Sequence, residues 1–237
     1  MEELIVTSQK LAEQKGSNEL NLDQLVLELK DRIHQTIIKL SQNQDFQTGW
    51  FNGEPFSDED IEALSDVWMR KEIKFINLVL EKVISWCSDD ENQVVLFDVD
   101  KTLSDVSNSI WVLRPAAEIL LKLIKTIFPE VTLGIMTNNP QEALDGFLNG
   151  SDRFGYSLVE LSSFFDKDWL FGIRSWYDEV ARKYMYDESD KRIRLDNLRA
   201  KTQKGIHLVD DYDYGDEQSL CLEESNFDLE LYAYGDE

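Results

Sequence analysis

Four consecutive apolar residues, Val94, Val95, Leu96 and Phe97, stand between Gln93 and Asp98. Side chains alternate between the two faces of a strand, so a strand apolar at every position must be covered on both. The interior of a parallel sheet with helices above and below meets that demand, and the rest of the chain supplies the parts. Residues 115–127 form an amphipathic helical pattern with Pro115 in its first turn. Residues 131–136, Val-Thr-Leu-Gly-Ile-Met, read as a second strand, and Pro140 opens another helix. A strand over 157–161 and helices over 169–184 and 191–201 follow, and Ile206 to Val209 is a further buried strand. This alternation predicts an α/β fold, a doubly wound parallel sheet, over residues 92–237.

Residues 1–91 carry a different period and read as an α-helical N-terminal extension. Leu22, Leu25, Val26, Leu29, Ile33, Ile37 and Leu40 recur at three- and four-residue steps, one face of a helix. Turn-forming residues interrupt the pattern over 47–55. Ser57 followed by Asp58, Glu59 and Asp60 is an N-cap with acid in the first turn, and the helix it opens continues through Ile84 and stops at Ser88. These helices are placed to cover the sheet or to pair two copies as a homodimer.

Charge narrows the partners. There are 47 acidic and 24 basic residues, a formal net charge of -23, and no Lys or Arg after Lys204. A field of that sign repels nucleic acid and anionic membranes. The most apolar helix, 115–127, is broken by Lys122 and Lys125, so no membrane span is expected. Cys87 and Cys221 are far apart and in no metal-ligand spacing, which fits a reducing cytoplasm rather than a disulfide framework. The acidic start, Met1-Glu2-Glu3, lacks the apolar run of a signal peptide.

In a parallel α/β sheet ligands gather outside the carboxyl ends of the strands. Three strands of this chain end in chemistry there: Asp98, Asp100 and Thr102 after the first, Thr137 and Asn138 after the second, Asp210 and Asp211 after the last. Phosphoryl transfer uses these groups. A carboxylate attacks phosphorus and splits one displacement into two easier ones. A divalent cation bound by hard carboxylate oxygens relieves the repulsion between that carboxylate and the phosphate. A second carboxyl protonates the leaving oxygen, and a hydroxyl holds a phosphate oxygen. A lysine is still required to balance charge shared by nucleophile and phosphate.

The string Asp98-Val99-Asp100-Lys101-Thr102-Leu103 behind its apolar strand resembles the first motif of the haloacid dehalogenase superfamily. Residues 131–138 resemble the second motif, and residues 206–211, with adjacent aspartates, resemble the fourth. The resemblance implies a Mg2+-dependent phosphohydrolase acting on a phosphorylated substrate. In it Asp98 is the nucleophile, Asp100 the general acid and base, and Thr137 a phosphate ligand, with Thr102 and Asn138 beside the substrate. Asp98, Asp100, Asp210 and Asp211 form the metal site, with either Asp210 or Asp211 touching the ion. The third-motif lysine is Lys191, with Lys201 and Lys204 as alternatives. The presence of Asp100 argues against carbon–halogen chemistry. The 102–114 stretch leaves no room for a cap domain, as in the capless branch, and 149–190 has room for a small one.

Other residues have simpler readings. His207 reads as a core or surface histidine and His34 as a surface one. Phe227, Leu229 and Leu231 alternate with polar neighbours, as in an edge strand. The alternative to an enzyme is a catalytically silent binding or regulatory protein that retains the fold, and transfer to an acceptor other than water is a third possibility.

Overall fold

The computed structural model describes residues 21–42, 56–88, 92–107, 110–150, 157–178, 183–186, 190–222 and 225–229. The strand that most constrained the fold, β1 (Gln93–Phe97), lies at the centre of a five-stranded sheet. Its neighbours are β4 (Thr132–Pro140) and β8 (Gly205–Asp210), with β5 (Leu170–Ile173) and β9 (Ser219–Cys221) at the edges, in the order β5-β4-β1-β8-β9. Every pairing is parallel. All five strands therefore end on the same side. A short antiparallel hairpin, β2 (Ser104–Ser107) and β3 (Ile110–Leu113), follows β1 and fills the stretch between Thr102 and Arg114.

Alternate residues of β1 enter different cores. Val95 and Phe97 pack with Leu133 and Ile135 of β4 beneath α1 (Leu22–Ser41), α2 (Asp58–Cys87), α3 (Ala117–Ile127) and α4 (Gln141–Asn149). Val94 and Leu96 pack with Met136, Leu208 and Tyr214 beneath α5 (Lys191–Lys201), which contributes Leu195. The helical region is thus continuous with the first core: Phe75, Val79 and Val83 of α2 are fully buried, as are Ile33, Ile37 and Leu40 of α1. On α1 the one large hydrophobic residue left strongly exposed, among those described, is Leu27. Ser57 caps α2 as the sequence implies, its hydroxyl accepting the Asp60 N–H at 3.1 Å while the Asp60 carboxylate accepts the Ser57 N–H at 2.9 Å. No described helix is long and apolar enough to cross a membrane. Cys87 and Cys221 are both free thiols.

Between α4 and α5 the structure corrects the sequence expectations. Residues 157–161 are not a strand but enter a 3-10 turn over Val159–Phe164. Leu158 and Leu161, three apart, are the buried pair, whereas Val159 faces solvent, a period of three rather than two. Residues 169–184 are not a helix: β5 occupies Leu170–Ile173, and a hairpin of β6 (Ser175–Asp178) and β7 (Lys183–Tyr186) follows. That stretch is dense in Trp, Phe and Tyr, which favour a pleated surface over a helix. Phe227 and Leu229 do not form an edge strand. Both are buried, and Ser219–Cys221 takes the edge instead. Leu231, Trp50 and Phe51 lie outside the described residues.

Candidate functional site

At the carboxyl edge of the sheet the chain leaves β1 at Asp98, whose N–H donates to the Val209 carbonyl of β8 at 2.9 Å. That bond continues the ladder by one residue and sets Asp98 beside Asp210. Lys191 stands between them. Its ammonium lies 2.9 Å from Asp98 Oδ2 and 2.6 Å from Asp210 Oδ2, with all three side chains nearly water-free. Asp190 positions the lysine: it caps α5, accepting the Arg192 and Ile193 N–H groups at 2.9 and 3.3 Å, so Lys191 is the first helical residue. Lys201 lies exposed at the far end of α5, and Lys204 reaches Thr132 at the opposite end of β4, so neither is at this edge.

Carboxylate oxygens of Asp98, Asp210 and Asp211 all lie within 4.8 Å of one another. Three carboxylates against one ammonium leave negative charge uncompensated at short range, where partial exclusion of water magnifies the repulsion. Asp98 Oδ1 is buried without a hydrogen-bond partner. A hard divalent cation fits that donor set, and Asp98, Asp210 and Asp211 are the residues that would hold it. Burial pushes the Asp98 carboxyl up to about 7, Lys191 opposing and Asp210 reinforcing the change. Burial also raises Asp211, to about 6, helped by its hydrogen bond to Asp210 and by that neighbour's charge. Burial alone would lower the Lys191 pKa, but the Asp98 and Asp210 charges overcome it and hold it above the ordinary lysine range.

The loop after Asp98 folds around one carbonyl. Thr102, Leu103 and Ser104 all direct their N–H groups at Val99 O, at 3.4, 3.0 and 3.0 Å, and Lys101 takes a left-handed φ of 54° to allow it. Asp100 is exposed to solvent on one side, and desolvation by the surrounding protein still raises its pKa, opposed by the hydrogen bond from Asn139 Nδ2 at 2.9 Å. Thr137 is buried. Its hydroxyl oxygen accepts the Asn139 N–H and Nδ2–H at 3.2 and 3.1 Å, which leaves its own proton free to be donated. Thr102 is fully buried, with a hydroxyl that has no partner among the described residues. Asn138 is exposed, and it is its neighbour Asn139 that reaches both Thr137 and Asp100.

Several residues of this region were missed in the sequence. Tyr214 O–H donates to Asp210 Oδ2 at 3.2 Å, and burial together with the Asp210 charge holds its proton on more tightly than in a free phenol. Arg194, one turn beyond Lys191, donates to the carbonyls of Thr137, Phe171 and Gly172, each at 3.1 Å, tying α5 to β4 and β5. Behind the loop, Arg114 and Glu72 pair at 3.0 Å with no solvent exposure on either side chain. Glu72 also accepts the Ala116 N–H at 2.8 Å, serving as an N-terminal cap for α3, which has none of its own. Arg114 donates to Thr102 O at 3.4 Å and Ser225 O at 2.8 Å. The 225–229 segment straps the loop from outside: Phe227 N–H donates to Lys101 O, Lys101 pairs with Asp228 at 2.7 Å, and Leu229 N–H donates to Asp105 at 2.8 Å.

His207 is buried, stacked on Trp86 with ring centroids 4.4 Å apart, its Nε2 2.7 Å from Gln93 Oε1. His34 is exposed on α1. No family model matches the chain, nor does any curated protein or solved structure. What stands is a Rossmann-like α/β core with a buried, lysine-bridged aspartate cluster at the carboxyl edge of its parallel sheet.

Proposed function

We propose that the chain is a phosphohydrolase of the haloacid dehalogenase type, dependent on Mg2+, that cleaves a phosphate monoester through an aspartyl-phosphate on Asp98. One observation carries the reading: the Lys191 ammonium bridges Asp98 and Asp210 while Asp211 lies within reach of both, all where three parallel strands end. When bound, magnesium would neutralise charge between the nucleophile and the phosphate.

The residues divide the work. An Asp98 oxygen attacks phosphorus, and the bond from phosphorus to the leaving oxygen breaks. Asp100, whose pKa burial raises above the ordinary carboxyl value, delivers a proton to that oxygen. It then removes a proton from water, which attacks phosphorus, breaks the phosphorus–Asp98 bond and frees inorganic phosphate. The Thr137 hydroxyl, its oxygen saturated by Asn139, donates to a phosphate oxygen. Asn139 also orients Asp100. Lys191 stays protonated and offsets the negative charge that collects between Asp98 and the phosphoryl group.

Release of phosphate from p-nitrophenyl phosphate with Mg2+, with and without a chelator, tests the reading. Asp98→Asn should reduce turnover to background, roughly a thousandfold or more, because no other residue supplies the attacking oxygen. Full activity in that variant would overturn the mechanism. Beryllium fluoride binding without turnover on any ester would favour the catalytically silent reading.

A further inference from the structure

The described residues cover the second face of the sheet only in part. Leu195 and Leu198 of α5 pack against Val94, Leu96, Ile206 and Leu208 of β1 and β8, but over β4 and β5 Met136, Leu170 and Phe171 line a groove of about 670 Å3. That volume lies in the range of sites that hold small organic ligands. Its lining is the opposite of the chain as a whole. A protein with a net charge of -23 presents here Lys167, Arg174, Arg194 and Lys201 against a single acid, Asp168. Lys167, Arg174 and Lys201 are exposed and, among the described residues, engaged in no ion pair, although acids outnumber bases about two to one.

The groove is joined to the catalytic edge. Its upper end is formed by Gln141, directly after the Thr137–Pro140 strand end, by Arg174, directly after β5, and by Arg194, which is bonded to Thr137 O. Gly172 permits the junction. A Cβ there would stand 2.6 Å from Gln141 Cα and 3.0 Å from Asn139 O, and its N–H donates to Gln141 Oε1 at 2.8 Å. Lys167 and Lys201 stand at the lower end. The four residues of β5 and the seven steps from Arg194 to Lys201 each span about 10–13 Å at ordinary strand and helix rises. The distal cations are therefore roughly 10–13 Å below the carboxyl edge of the sheet, with Asp98 at the end of β1 two strands, about 10 Å, to the side of β5.

We propose that this groove binds a small organic anion with an apolar body. On the reading above it takes the non-reacting half of the substrate, so that the substrate class is a phosphate monoester bearing a second anionic group. Charge complementarity selects the occupant: cations that pair with no acid among the described residues, at the far end of a groove floored by Met136, Leu170 and Phe171, complement a ligand charged at both ends, in a molecule of strongly negative net charge.

The double variant Lys167→Glu/Lys201→Glu, which alters only exposed residues remote from the aspartates, tests this in the full-length protein. The fluorescent anion anilinonaphthalene sulfonate is titrated into wild type and variant at low and high salt. The wild type should bind it, the variant should bind about tenfold more weakly, and added nucleoside bisphosphates or sugar bisphosphates should displace it. In parallel, turnover is measured on p-nitrophenyl phosphate and on the same bisphosphates. The double variant should raise KM about tenfold for the bisphosphates at little change in kcat and leave p-nitrophenyl phosphate hydrolysis unaffected. Equal probe binding by wild type and variant overturns the proposal, as does displacement by an acidic peptide but by no small phosphate. Charge-dependent probe binding and displacement with no hydrolysis of any ester uphold the groove and instead remove the phosphatase reading.

Discussion

Removing both partners of the Glu72–Arg114 pair should destabilise the fold about as much as removing one of them, not twice as much. Neither side chain has any solvent exposure, so water cannot replace a lost partner. In Glu72→Leu the guanidinium keeps Thr102 O, Ser225 O and the Phe75 ring, 3.4 Å from its centre, but loses its counter-charge, and the Ala116 N–H loses its acceptor. In Arg114→Met the carboxylate remains, buried and without its cation. Breaking a buried pair from either side costs about 3–5 kcal/mol. At this chain length that lowers Tm by roughly 6–20 °C. In the double variant neither charge of the pair is stranded, and among the described residues the remaining penalty is three backbone groups that lose partners, about 1–3 kcal/mol each before local repacking. Repacking around the smaller side chains brings the double variant to the low end of that range, about 3–5 kcal/mol, well short of the roughly 6–10 kcal/mol obtained by adding the singles. Urea unfolding followed by far-ultraviolet circular dichroism on all four proteins gives the cycle. Single variants that cost under about 1 kcal/mol, or a double variant equal to the sum within about 0.5 kcal/mol, would refute the reasoning.

Two more predictions come from the edges of the site. Burial, reinforced by the nearby Arg199 and Lys82 charges and opposed by Asp216, lowers the His207 pKa from 6.5 to about 4. The unfolded chain therefore binds a proton that the folded one refuses, and stability falls as pH drops from about 6.5 to about 4 and is fully present above that window. The ceiling is about 3 kcal/mol, and screening of the neighbouring charges brings the expected loss to about 2 kcal/mol. His207→Gln, which keeps a donor for Gln93, should remove that much of the pH dependence of the urea-unfolding free energy. Parallel wild-type and variant profiles would show that the ring is not held neutral. Gly172→Ala should force the Asn139–Gln141 backbone away from β5, because the new methyl would sit 2.6 Å from Gln141 Cα. An overpacking cost of about 1–3 kcal/mol, with loss of phosphatase activity exceeding that of a surface Gly→Ala control, is the expected result.

The parts of this fold legible in the sequence are those where burial repeats along the chain. Val94 to Phe97 read as an inner strand, Ser57 and Asp60 marked the start of α2, and Lys191 was read as the start of α5. The 157–186 stretch failed for the complementary reason. Its apolar residues are aromatic and irregularly spaced, so neither period dominates, and what decides between helix and strand is the free edge of β4 that becomes available only once the sheet exists. Polar partnerships divide along the same line. Asp98, Thr137, Asp210 and Asp211 were visible because parallel strands all end on one side of a sheet, so topology alone brings their last residues together. Asn139, Arg114, Glu72, Arg194 and Tyr214 reach their partners through side-chain direction and loop path, across separations such as the 42 residues between Glu72 and Arg114, and no pattern of period two or 3.6 encodes such a meeting. Lys191 belongs to both groups: its helix start was readable, and the reach of its ammonium between two aspartates was not. A charge cluster at such an edge is thus legible to the extent that backbone topology assembles it, and the geometry that makes it reactive comes from the side chains that topology leaves free.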